Sequence, residues 1–71
     1  MSTIYTKEYK DMTQKLLKAR NESGLKQIDV AKKLGKPQSY VSKIEKGERR
    51  MDIVELKILA NIYNKKITYF I

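Results

Sequence analysis

Apolar and small residues recur along the chain at helical rather than alternating spacing. Met12, Leu16, Ala19 and Ser23 follow at intervals of four, three and four, which places them on one face of an amphipathic helix over roughly residues 7–23. Lys10, Gln14, Lys18 and Asn21 fall away from that face. Thr6 is a suitable cap, and Glu8 stands in the first turn, where the helix dipole favours an anion. Gly24 ends the helix as a left-handed cap. A shorter helix starts near Lys26 or Gln27, with Val30, Ala31 and Leu34 inward and Asp29 near its positive end. Gly35 then takes positive φ, and Lys36 and Pro37 open a third helix, because proline suits a first turn where its missing N–H is not needed. Val41 and Ile44 face inward, and this helix ends near Lys46 with Gly47 as its cap.

A polar link, Glu48-Arg49-Arg50-Met51, leads to a fourth helix. Asp52 starts it, and Glu55 three residues on completes a variant of the capping box. Ile53, Leu56, Leu59, Ala60 and Tyr63 form its inner stripe, and Asn64-Lys65-Lys66 breaks it. Ile67 to Ile71 are all β-branched or aromatic, so this end is a short helix or a strand, with propensity on the side of strand. Residues 1–6 are expected to be loose up to the cap. The expected architecture is all-α: a compact bundle of four to five helices, in one domain over residues 1–71.

Composition narrows the chemistry. The chain has no cysteine and no histidine, which removes the disulfide, the thiolate zinc site, the commonest general base and the commonest metal ligand. No cofactor and no small-molecule ligand is evident. Asp29, Glu45 and Asp52 could do acid–base work in principle, but capping and ion pairing account for them, so an enzyme is not expected. No apolar run approaches the ~20 residues of a bilayer span, and the first twelve residues do not read as a signal peptide; a cytoplasmic protein is expected. Sixteen Lys and Arg against eight Asp and Glu give a net charge of +8 on 71 residues, which draws a small domain to polyanions.

The centre of the chain, residues 27–46, carries the most specific pattern. With Gln27 as the first residue of a unit, the fifth is Ala31, the ninth Gly35, the fifteenth Val41 and the eighteenth Ile44. This is the helix-turn-helix pattern. Two helices crossing at ~90–120° need a small side chain at the crossing and a turn residue free to take positive φ. Ala31 and Gly35 supply these, and Val41 and Ile44 hold the second helix so that Gln38, Ser39, Ser42, Lys43 and Lys46 point outward. Such a surface, without an acid, suits base edges and phosphates in a major groove of double-stranded DNA. Arg49 and Arg50 stand beside the motif as candidate phosphate contacts, whereas Lys32 and Lys33 read as solvated charge and Tyr5 and Tyr9 as packing residues.

From Leu16 to Phe70 the chain resembles the Cro/phage-repressor type (XRE-like) helix-turn-helix regulators. The resemblance rests on Arg20, Gly24-Leu25 with Gln27, Ala31, Leu34-Gly35, Ser42-Lys43-Ile44-Glu45 with Gly47, and Leu56 with Leu59-Ala60. It implies a lambda-repressor-like fold that binds DNA. It also implies that Gln27 bonds a phosphate and braces the recognition helix, that Gln38, Ser39, Ser42 and Lys43 read bases, and that Tyr40 and Lys46 touch phosphate. Arg20 and Glu45 resemble a structural ion pair between the first and third helices. Two departures stand out: Pro37 occupies the usual Ser or Thr cap position, and the tail is more β-prone than the usual last helix.

On the fourth helix Val54, Ile58 and Ile62 repeat every fourth residue, roughly opposite the inner stripe. A helix apolar on two sides is covered on two sides. A homodimer through this stripe, with Tyr69, Ile71 and the 64–71 tail contributing, is one solution; a tail folded back over the stripe is the other. The functional reading is a sequence-specific transcriptional regulator, in all expectation a repressor. An antitoxin or a restriction–modification controller of the same fold, and a protein-interaction module gripping an acidic partner, remain open at this point.

Overall fold

The computed structural model describes residues 6–71. Four α-helices follow in order, α1 (Lys7–Glu22), α2 (Gln27–Leu34), α3 (Gln38–Glu45) and α4 (Ile53–Ile62), and a single 3₁₀ turn, Ile67–Tyr69, follows them. There is no strand among the described residues. Thr6 is not loose: its hydroxyl accepts from the Tyr9 N–H at 3.2 Å as the cap of α1. Residues 1–5, Tyr5 included, lie outside the described residues.

All four α-helices end alike. In each, an N–H two or three residues past the last helical residue returns to a carbonyl five residues back: Leu25 to Arg20, Lys36 to Ala31, Glu48 to Lys43 and Lys65 to Ala60. This closure needs a residue with positive φ at its centre. Gly35 takes it between α2 and α3 (φ 68°), and Asn64 takes it after α4 (φ 56°). At Gly35 a Cβ would meet nothing within 4 Å, so backbone conformation alone demands the glycine there.

The core joins Leu16 and Ala19 of α1, Val30 and Ala31 of α2, Tyr40, Val41 and Ile44 of α3, Leu56, Leu59 and Ala60 of α4, and Tyr63 and Phe70 beyond it. α2 packs most extensively on α3, with the small Ala31 buried in that pair. Two expected positions differ. Ser23 is exposed because it caps α1 and returns its hydroxyl to the Ala19 carbonyl at 2.8 Å. Ile53 is 56% exposed: it lies roughly 70° around the helix from the axis of Leu56, Leu59 and Ala60. Of the two forms open to the tail, short helix or strand, it takes the short helix, as one 3₁₀ turn. A strand without a neighbour would leave its N–H groups unpaired, so the chain turns instead, with Tyr69 and Phe70 N–H bonded to Lys66 and Ile67 carbonyls. That turn buries Phe70 against the core, its ring edge-on to Tyr69 at 4.9 Å.

One ion pair ties the frame together. Arg20 Nε donates to Glu45 Oε2 at 2.6 Å, and a second guanidinium nitrogen donates to Oε1 at 3.1 Å. A third reaches the Leu25 carbonyl at 2.9 Å, in the link between α1 and α2. The side chains are 12% and 5% exposed. Glu45 is the last residue of α3, where the helix dipole disfavours a carboxylate, so it depends on these donors. The hydrogen bond to Glu45 is the main influence that holds the Arg20 pKa above even its ordinary high value.

Removing Arg20 alone (Arg20→Ala) leaves a buried carboxylate unpaired and should lower the unfolding free energy by about 3–5 kcal/mol in urea denaturation. The joint change Arg20→Met with Glu45→Leu should lose much less. A loss below about 1 kcal/mol for the single variant would place the pair among exposed ones. Gly35→Ala should lose about 1–2 kcal/mol through backbone strain alone.

Candidate nucleic-acid interface

α3 is amphipathic in the sense the interface requires. Tyr40, Val41 and Ile44 are buried, while Gln38, Ser39 and Lys43, with Lys46 just beyond the helix, are exposed and Ser42 is half-buried. At ~100° per residue, Ser39, Ser42 and Lys46 share the middle of the outward face, and Gln38 and Lys43 form its flanks. The first turn of α3 carries no acid, and Pro37 offers no side-chain cap. The other three helices each carry a first-turn acid. Pro37 stands just ahead of the helix, at its cap rather than inside the first turn, with extended backbone (ψ 157°).

Gln27 connects this face to the buried pair. Its Nε2 donates to Glu45 Oε1 at 2.9 Å, and its Oε1 accepts from Gln38 Nε2 at 3.3 Å. The first residue of α2 thereby touches the last and the first residue of α3. Glu45 accepts from Arg20 on one side and from Gln27 on the other, so the ion pair in the frame and the exposed Gln38 amide belong to one network. Tyr63, buried at the end of α4, lies near the same pair. Burial first, and then the charge of Glu45, push its phenol far above the ordinary range.

Tyr40 is where the structure departs most from the sequence reading. It was expected at the phosphate backbone, yet it is only 8% exposed and packs in the core. Its hydroxyl donates to Glu55 Oε2 on α4 and so is already committed. Spacing carried the signal, since Tyr40, Val41 and Ile44 form one helical stripe. Tyr9 also has a role beyond packing: its hydroxyl donates to the Arg49 carbonyl, anchoring the α3–α4 link to α1. Burial, above all, raises its pKa. Arg49 and Arg50 are exposed in that link, beside the end of α3.

The second apolar face of α4 is left uncovered by the described residues. Val54 is 60% exposed, Ile58 44% and Ile71 71%, while Ile62 and Tyr69 are half-buried. The tail does not fold over this stripe. Phe70 and Ile71 lie instead beside Thr6, Glu8, Tyr9 and Met12 at the start of α1.

No helix among the described residues is long and apolar enough to cross a membrane. No curated protein and no solved structure matches the chain. A helix-turn-helix family model matches residues 16–70, from the core leucine of α1 to the buried phenylalanine of the tail. Four helices, a glycine turn between α2 and α3, and a polar outward face on α3 agree with that match, and the chain belongs to the XRE-type helix-turn-helix family of DNA-binding regulators, the family of the Cro and phage-repressor type.

Proposed function

We propose that the protein is a sequence-specific transcriptional repressor of the cytoplasm, a single domain that places α3 in the major groove of double-stranded DNA. The observation that carries this reading is the outward face of α3: exposed Gln38, Ser39 and Lys43 without a carboxylate among them, with Gln38 held by the Gln27 bridge. Gln38 and Lys43 have the geometry to pair with adenine N6/N7 and guanine O6/N7, and Ser39 and Ser42 can serve either. Lys46, Arg49 and Arg50 supply backbone contacts, and Gln27 adds one from the start of α2. Occupying an operator in this way blocks polymerase.

The same reading assigns the exposed stripe of α4 to a second copy of the chain. Val54, Ile58 and Ile62, with Tyr69 and Ile71, would form an isologous contact, which sets two α3 helices against half-sites about one helical turn (~34 Å) apart. Near-palindromic operators follow from that symmetry.

The direct test selects bound fragments from a genomic DNA pool and measures binding to the selected site against salt. With roughly six to ten phosphates neutralised per dimer, affinity should fall ~10³–10⁵-fold between ~50 and ~200 mM salt. Flat salt dependence, or retention of no fragment, contradicts the reading. Lys43→Ala should lose about 1–3 kcal/mol on the selected site and relax preference at one base position. Arg50→Ala should weaken all sequences alike and reduce the salt slope by about one per protomer. Ile58→Lys should shift the protein from dimer to monomer in sedimentation at tens of micromolar, with helix content retained; a wild-type chain that is monomeric there removes the dimer.

A further inference from the structure

Two exposed cations from separate links converge on the ring of Tyr40. Lys36, in the turn between α2 and α3, holds its ammonium 5.5 Å from the ring centroid. Arg49, in the link between α3 and α4, holds its guanidinium 4.7 Å from the same centroid. Both distances lie within the reach of cation–π attraction. Neither cation has a carboxylate partner: the ion pairs among the described residues are Arg20–Glu45 and Lys65–Glu22. The ring neutralises nothing. It gathers two positive charges from either end of α3 and leaves both facing solvent.

The platform itself is fixed at several points. Tyr40 sits on the first turn of α3, and its hydroxyl donates to Glu55 Oε2. The other oxygen of Glu55 accepts from the Asp52 N–H at 3.1 Å, so the capping box of α4 anchors the ring. The Arg49 carbonyl accepts from the Tyr9 hydroxyl, which holds the backbone of the α3–α4 link while its guanidinium lies over the ring. The ring that both cations approach, and the backbone that carries Arg49, are therefore held by the core.

We infer that Lys36 is a phosphate ligand, working with Arg49 as a two-cation clamp on the phosphodiester backbone, and that Tyr40 and Glu55 are the positioning residues that aim it. This rests on the reading that α3 enters the major groove. An oxyanion is the ligand that fits two unpaired cations beside that helix, and the backbone flanking the groove presents a regular row of them. Direct base readout would need side chains on the outward face of α3, where neither cation lies.

The experiment measures affinity for a selected DNA site against salt, together with the melting temperature, for the wild-type chain and a short series of variants. Lys36→Ala should reduce the steepness of log K against log salt by about 0.9 per bound protomer. It should weaken all sequences in proportion and leave the melting temperature unchanged. Lys36→Arg should restore the slope. Tyr40→Leu should weaken binding, and in its background Lys36→Ala should lose much less than in the wild type, a coupling that a merely structural tyrosine would not show. Should Tyr40→Leu fail to fold, Tyr40→Phe keeps the ring and removes only the link to Glu55. Its binding should then fall several-fold when measured well below the variant's own melting temperature, with helix content retained. A wild-type chain that binds steeply while Lys36→Ala keeps the full slope overturns the clamp alone. A wild-type chain that binds no fragment overturns the groove reading and the clamp together.

Discussion

A carboxylate at the wrong end of a helix organises this domain. Glu45 closes α3, where the dipole opposes it and little solvent reaches it. It is tolerable only while Arg20 and Gln27 both donate to it. Arg20 can do so only if α1 lies across the end of α3, and Gln27 only if α2 begins there. Satisfying one oxygen pair thus sets the relation of three helices. The Arg20 contact to the Leu25 carbonyl adds the link between α1 and α2 to the same constraint.

Function follows from what that constraint leaves over. With Tyr40, Val41 and Ile44 committed to the core, the opposite side of α3 can face only outward. The Gln27 bridge extends the buried network to Gln38, so the first outward side chain starts from a held position. A second set of contacts, from Tyr40 to Glu55 and from Tyr9 to the Arg49 carbonyl, ties α3 to the start of α4 and the link between them to α1. Affinity for a charged backbone gains from such pre-organisation because less side-chain freedom is lost on binding.

Most of the fold was legible in the sequence because each element is marked twice. α1 has an apolar stripe and a Thr6 cap; α4 has Leu56, Leu59 and Ala60 together with the Asp52–Glu55 box. The glycine between α2 and α3 marks a turn that local sterics alone require. For the tail the sequence left short helix and strand both open, because propensity ignores pairing: the five β-prone residues have no partner strand among the described residues, and burying Phe70 decides for the short helix. Ile53 was misplaced because a position at the helix start can look apolar in sequence and still miss the buried arc. The interface was legible as a surface but not as a mechanism. The outward residues of α3 could be read from spacing, whereas the second use of Glu55, as acceptor for Tyr40, joins residues fifteen apart that no local pattern connects.

On the proposed function α3, braced through Gln27 and Glu45, is the element that meets DNA. Amide chemical shifts followed by NMR as the protein is titrated with a fragment selected from its own genomic pool test it most directly. The largest changes should run from Gln38 to Lys46 and include Gln27, with the buried stripe of α4 little affected. Changes confined to α4 and the tail, with α3 silent at saturation, would contradict it.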